Sequence, residues 1–403
     1  MKRYEVVIIG GGPTGALAAR YAALTGARVL LVEQGSGRGP ASNCTGLISP
    51  RTLDIYNVSS EAVLRRIKGG RLHLPGGGVL KLCAPDTRAL VVDRAVFDRL
   101  GLEQAAAIGV EIRTHTRATH AARGKVTLDG KEKIEAAVIV GADGPQSSVR
   151  DWFSIPPPQQ FFTATQAVVE DIPEDPAQVE VFVGSNIAPE GFAWAVPAEE
   201  GLMRVGLLAP AGTDVQALLS RFLADHFPGR VRASRGGLIP IGPVKKTYGD
   251  GVIVVGDAAG QVKPLSGGGL YFGGICAQIA GKVAGQAGLS GMTNEVYLRL
   301  YEEEWKREIG AELDFGLSLR RVLFSLHDET LIALKTIFDD PEILSLIENH
   351  GDFDYLSKLI PLFLEHRTVW PRLASAISLL GGWDEVRKLA AKFLASYESL
   401  KKS

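Results

Sequence analysis

Three cysteines in 403 residues leave little scope for covalent scaffolding. Cys44, Cys83 and Cys276 offer no paired metal-ligand spacing and no even framework of bridges, which fits a reducing compartment. A single Cys44–Cys83 bridge is the only pairing worth considering, and spacing alone says nothing of its geometry. Charge of either sign is not in excess. Lys and Arg total 44 against 45 Asp and Glu, a formal net charge of −1. No global field therefore draws the chain to nucleic acid. No run reaches the roughly eighteen uninterrupted apolar residues of a spanning helix. The basic start MKRYEVVIIGGG ends in glycines and lacks a small-residue cleavage site, so it reads as a strand and not a signal peptide. His115, His120, His226, His327 and the other histidines are scattered, with no metal arrangement and no base–nucleophile pair. These absences predict a cytoplasmic protein with no metal and no nucleic-acid partner. Its length suggests two or three domains.

What is present begins at residue 4. YEVVII is an apolar run suited to a strand buried on both faces. An alanine-rich helical stretch from Pro13 follows, then RVLLVEQ as a second buried strand, completing a strand–helix–strand unit. AAVIVGADG and GVIVVGDAAG repeat the pattern of a short apolar strand ending in Asp and Gly. Between them, QAVVEDIP, VEVFVG, FAWAVPA and LMRVGLLAP read as antiparallel strands. Beyond about residue 290 the pattern is helical. The EEEWKRE run reads as a solvated helix face with i,i+4 pairs.

Gly10, Gly12 and Gly15 lie between the first strand and the first helix. Gly10 permits a tight turn, Gly12 lets the backbone approach a pyrophosphate at the helix N-terminus, and Gly15 allows close helix–strand packing. Glu33 ends the second strand, where an acid accepts hydrogen bonds from ribose hydroxyls. Together they predict a dinucleotide site.

NAD and FAD share this opening. DRAVFDRL from Asp93, GADGPQSSVR from Gly141 and GVIVVGDAAGQVKP from Gly251 resemble flavoproteins built like aromatic hydroxylases, halogenases and prenyl reductases. The likeness covers residues 1–290. It implies an α/β + β fold: a Rossmann-like FAD-binding domain (1–55, 85–155 and 245–290), an inserted antiparallel β-sheet substrate domain (56–84 and 156–244) and a C-terminal helical region (291–403). FAD is the implied cofactor. Its binding residues would be Gly10, Gly12, Pro13, Thr14 and Gly15 in the cradle, with Glu33 and Gln34 following. Arg38 and Arg94 would reach phosphates, and Asp143 and Gly144 belong to the second motif. Gly256, Asp257 and Ala258 would meet the ribityl or pyrophosphate region. Pro264, Gly267, Gly268, Gly269 and Leu270 would border the isoalloxazine.

Aromatic hydroxylases commonly carry histidine after GDAA, where this chain has Gly260. In GFAWAVP, Phe192, Trp194 and Val196 alternate on one strand and share a face. Halogenases usually place tryptophan first and isoleucine before the proline, and Phe192 and Val196 depart from that. The pattern, with the Cys-x-Gly element in NCTGLIS, is similar to the geranylgeranyl reductase family. That family saturates isolated double bonds of prenyl chains in lipids, chlorophyll precursors or quinones. An isolated alkene has no carbonyl to polarise, so hydride from reduced flavin must be matched by a proton delivered to the neighbouring carbon. An apolar tunnel with an aromatic wall would hold the chain. Cys44 and Tyr271 are the candidate catalytic residues. Cys44, Gly46, Phe192, Trp194, Val196 and Pro197 are the candidate substrate contacts. The apolar segments LIPLFLEHRTVW and RLASAISLLGGW pack as core, lengthen a lipid tunnel or dock at a bilayer, which would make the protein peripheral at the membrane. NAD(P)H, ferredoxin or a quinol could supply electrons. A flavin monooxygenase or halogenase, and a non-catalytic flavin-bearing lipid carrier or electron-transfer protein, are the alternatives.

Overall fold

The computed structural model describes residues 1–37 and 44–366. Arg38 and the RLASAISLLGGW segment lie outside the described residues, as does the end of LIPLFLEHRTVW.

The chain opens with β1 (Arg3–Ile9), α1 (Pro13–Ala23) and β2 (Val29–Val32). Pro13 stands at the first helical turn, where its fixed φ costs nothing and its missing N–H has no partner to lose. Next come β3 (Leu47–Ile48), α2 (Pro50–Tyr56), β4 (Val63–Ile67), β5 (Gly69–His73), β6 (Val79–Cys83) and β7 (Ala89–Val92). α3 (Arg94–Ala107) is capped by the Asp93 carboxylate, which accepts the Ala95 and Val96 amides. β8 (Glu111–Arg113), β9 (Ala118–Ala122), β10 (Lys125–Leu128), β11 (Glu132–Gly141) and α4 (Ser148–Trp152) follow. The strand-rich middle holds β12 (Gln160–Glu170), β13 (Gln178–Phe182), β14 (Phe192–Pro197), β15 (Leu202–Pro210), α5 (Val215–His226) and β16 (Val231–Ile241). The chain returns through β17 (Tyr248–Gly249) and β18 (Val252–Val254) to α6 (Leu270–Ser290). It continues as α7 (Glu295–Trp305), α8 (Ala311–Leu323), α9 (Asp328–Phe338), α10 (Pro341–His350) and α11 (Leu359–Glu365).

The α/β plus β architecture is the one expected. The first sheet runs β17–β18–β11–β1–β2–β8, parallel from β18 through β8, with β10 and β9 hairpinned beside β11. The second runs β16–β12–β15–β14–β13–β5–β6, antiparallel except where β13 pairs parallel with β5. A small third sheet runs β3–β7–β4, with β5 and β6 of the second sheet falling between β4 and β7 in sequence. Inside the strand-rich middle, α5 is a helix that strand patterning overlooked. Its Leu219 and Phe222 cover Ala193, Ala195, Val205 and Leu207, closing one face of the second sheet. Strand alternation therefore turns Phe192, Trp194 and Val196 to the other face, which opens into a cavity.

The EEEWKRE run is more than a solvated face. Glu302 does pair with Lys306 at 2.7 Å. It also accepts the Thr247 amide and hydroxyl at 2.8 and 3.0 Å, while Trp305 is buried with its indole N–H on Thr247 Oγ1 at 3.0 Å. No disulfide forms: Cys44 is half-buried, Cys83 exposed and Cys276 buried, and all three are free.

α1 and α6 approach so closely that only glycine fits between them. A Cβ on Gly281 would stand 2.4 Å from the Ala18 carbonyl oxygen. Gly281→Ala must push backbone apart, and about 1–3 kcal/mol of stability should be lost. Denaturant unfolding of the protein without cofactor measures this, and an unchanged midpoint would show that the helices can yield.

Candidate functional site

A cavity of about 2070 Å³ runs from the end of β1 along the open face of the second sheet to α8 and α9. That is well beyond the roughly 300–1,000 Å³ of a single-ligand pocket, so a dinucleotide and a long chain can share it.

At one end is the glycine cradle. Gly10 holds φ +108°, and a Cβ there would strike the Ala142 carbonyl oxygen at 2.3 Å. A Cβ on Gly15 would strike Gly10 O at 2.0 Å. Gly12 is the opposite case: nothing stands within 4 Å of its missing side chain, and no side chain caps α1. Gly12, Pro13 and Thr14 line the cavity, leaving the helix N-terminus open to an anion. Glu33 closes the cradle from beneath, accepting the Gly11 amide at 2.7 Å and the Gly35 amide at 2.6 Å. Its carboxylate keeps lone pairs for ribose hydroxyls. Gln34 beside it is exposed.

Asp257 lines the cavity from the turn after β18. Burial raises its pKa, and Arg94 opposes that shift. Arg94 is itself paired with Asp98 at 2.9 Å and lines the cavity. Burial works against its charge, but Asp98 and then Cys44 outweigh it and hold the guanidinium above its usual value. Gly144, Gly267, Gly268, Gly269 and Leu270 also face the cavity. Gly260, where hydroxylases carry histidine, is left-handed at φ +71°, and a Cβ there would meet Gly242 O at 2.2 Å.

Like Gly10, Gly15, Glu33 and Gln34, four further cofactor candidates lie outside the lining. Asp143 Oδ2 accepts the Val149 amide of α4 at 3.0 Å, and its other oxygen is buried without a partner. Gly256 is pressed against Thr14, and Ala258 gives its carbonyl to Arg150 at 2.6 Å. Pro264 gives its carbonyl to Arg320 at 2.9 Å.

The cysteine loop sits between cradle and sheet. Cys44 and Gly46 line the cavity, and the Gly46 amide donates to Cys44 Sγ at 3.4 Å. The need for glycine in Cys-x-Gly has a physical cause. Gly46 lies at φ +72°, with Val92 O 2.5 Å and Arg204 Nη1 2.8 Å from any Cβ. Arg204, on β15, is buried and donates to the Thr45 carbonyl at 2.8 Å and the Val92 carbonyl at 3.0 Å. Gln166 adds a second tie, its Oε1 accepting from Thr45 Oγ1 at 2.8 Å and from Trp194 Nε1 at 3.2 Å.

Phe192, Trp194 and Val196 line the apolar half, the Phe192 and Trp194 ring centroids 5.8 Å apart, joined by Phe162, Leu208 and Ile239. Two expectations fail here. Pro197 ends β14 buried and outside the lining. Tyr271 is not among the lining residues: it is buried edge-on against Tyr355 at 5.8 Å with Arg51 over its ring. It sits one position along α6 from Leu270, which does line the cavity. α8, the turn after it and α9 supply Leu317, Phe324 and Leu331 to the lining, and no described residue of α11 reaches it. Sequence reading missed Arg204, Gln166 and Arg320. An arginine inside the apolar run LMRVGLLAP was the available signal for the first.

The cradle fits a dinucleotide, and the family of the FAD binding domain matches residues 3–217, so the chain is a FAD-dependent oxidoreductase. A digeranylgeranylglycerophospholipid reductase of Methanothermobacter thermautotrophicus is 32% identical over 361 residues, 85% of this chain and 94% of that protein. A geranylgeranyl bacteriochlorophyll reductase-like protein from Thermoplasma acidophilum has a crystal structure that superposes with TM-score 0.80 at 23% identity. That match covers 94% of this chain and all of the other. The chain belongs to the geranylgeranyl reductase family. A flavin-dependent brominase shares the fold at TM-score 0.68 and 16% identity, covering 92% of this chain and 100% of its own, so fold alone does not choose the chemistry.

Asp257 gives a test of the cradle. Its raised pKa means the folded protein binds the proton more tightly than the unfolded chain, so apo stability falls as pH rises from the usual carboxylate range through the raised value. Asp257→Asn removes that slope, and the apo protein should be as stable or more stable at neutral pH. FAD affinity should nonetheless fall about tenfold through the lost charged acceptor. Titration with FAD reads this, and unchanged affinity would take Asp257 out of the site.

Proposed function

We propose that this protein saturates isolated C=C bonds of geranylgeranyl chains, with a digeranylgeranylglycerophospholipid as the substrate that its curated relatives suggest. One observation carries the reading: cradle, cysteine loop and aromatic stripe all open into a single cavity whose far half is apolar. Gly12, Pro13, Thr14 and Asp257 would hold FAD, which when bound and reduced would supply hydride for one alkene carbon, and a proton must reach the other. The protein's residues do the rest. Val179, Val181, Leu208 and Ile239 exclude water and hold the chain by its apolar surface. Phe192 and Trp194 present ring faces to positive charge developing on the alkene. Cys44 is the one thiol on the lining, and it carries the proton at Sγ or aligns the alkene. The Arg94 guanidinium stands beside it. NAD(P)H, ferredoxin or a quinol returns the electrons. Among the described residues no helix is long and apolar enough to cross a membrane. The enzyme draws its lipid from a bilayer surface, and α9 carries exposed Ile332 next to cavity-lining Leu331.

Anaerobic incubation of the dithionite-reduced holoenzyme with digeranylgeranylglycerophospholipid should add the mass of one dihydrogen per bond reduced, read by mass spectrometry. No gain on any prenyl lipid would overturn the reading, and a need for oxygen would favour a monooxygenase or halogenase. Cys44→Ala should keep FAD and slow reduction by about a hundredfold or more if the thiol transfers the proton. An unchanged rate and product would reduce Cys44 to a packing residue.

A further inference from the structure

One buried cation in the cavity wall has no ion-pair partner among the described residues. Arg320 of α8 lines the cavity yet is only 4% exposed. Its Nη1 donates to Pro264 O at 2.9 Å and to Leu265 O at 3.4 Å, and its Nη2 is buried without a hydrogen-bond partner. The guanidinium lies 3.9 Å from the Phe162 ring centroid and 4.4 Å from that of Phe324. Among the described residues no carboxylate forms an ion pair with it, and only Glu190 acts on it from a distance. The other buried cations of the lining are matched, Arg94 by Asp98 and Lys263 by Asp354 at 2.6 Å. Arg321, the next residue, also lines the cavity, and among the described residues it bonds within its own helix, to Leu317 O and Ser318 Oγ.

Removing a guanidinium from water costs several kcal/mol, which two aromatic faces and two carbonyls offset only in part. Burial accordingly pulls the Arg320 pKa down to about 10. A ligand bearing negative charge would supply the missing term. The surroundings indicate which ligand. Phe162 belongs to the same apolar cluster as Leu208, Phe192 and Trp194, so Arg320 stands on the side of the cavity that takes the chain. Two consecutive arginines also suit a phosphodiester, which offers two charged oxygens to planar donors.

We infer that Arg320, seconded by Arg321, receives the phosphate of the lipid substrate and so anchors the head of the prenyl chain in the cavity. This rests on the proposed prenyl-lipid reading. The test uses oxidised, FAD-loaded protein and two probes with the same chain, geranylgeranyl phosphate and geranylgeraniol. Binding is followed by quenching of tryptophan fluorescence, which needs no turnover. The wild type should prefer the phosphate by about tenfold or more, and Arg320→Gln should collapse that ratio toward one. Arg320→Lys should keep part of it. Should Arg320→Gln fail to fold, Arg320→Lys and Arg321→Gln carry the test, each lowering the ratio. A ratio that no variant moves overturns the inference. A shifted flavin reduction potential with an unmoved ratio also overturns it, and would assign the charge to the cofactor. If the ratio behaves as expected but neither probe nor lipid is reduced, the reaction proposed above fails and the phosphate receptor stands.

Discussion

A buried guanidinium on one sheet grips the backbone of the loop that separates it from the other. Arg204 leaves β15, reaches the carbonyls of Thr45 and Val92, and fills the space that any side chain at residue 46 would need. Its two carbonyl bonds are charge-assisted and shielded from water, so each is stronger than a neutral surface bond. Because the grip is on backbone, it fixes the whole Cys44–Gly46 turn and not one rotamer. Gln166 repeats the tie through side chains, joining Thr45 to Trp194. The thiol and the aromatic stripe, 150 residues apart in sequence, therefore hold a set relation to each other.

The remaining architecture serves that junction. α5 seals one face of the second sheet, so its other face is free to line a cavity without costing the sheet its core. On the nucleotide side, glycines bring α1 against α6 and against β1, so that the open end of α1 faces the same space. Polar and apolar demands are thereby separated. One stretch of the lining carries the N-terminus of α1, Asp257 and Arg94, and the other the valines, leucines and rings of the second sheet.

Much of this was legible in the residue pattern, and the reasons are local. Any Cβ on Gly10 or Gly15 would strike backbone and Gly12 leaves the helix N-terminus open, and the Phe192–Trp194–Val196 alternation follows from the two-residue period of a strand. What escaped was long-range. That Gly46 needs to be glycine because of Arg204 depends on a partner 158 residues away. Tyr271 stood beside the right loop, but its ring packs against Tyr355 outside the lining. Pro197 matched a family pattern as the end of a strand and not as a contact. α5 was masked by the strands around it, and the parallel β13–β5 pair cannot be inferred from segments so far apart.

The central claim is that a prenyl double bond held in this cavity is itself the acceptor of the flavin's electrons. The most direct measurement is anaerobic stopped-flow absorbance, mixing stoichiometrically reduced holoenzyme with digeranylgeranylglycerophospholipid. Return of the oxidised-flavin band in proportion to lipid added, with no oxygen present, is the predicted result. A flavin that stays reduced with the lipid bound and reoxidises only when oxygen is admitted would contradict it.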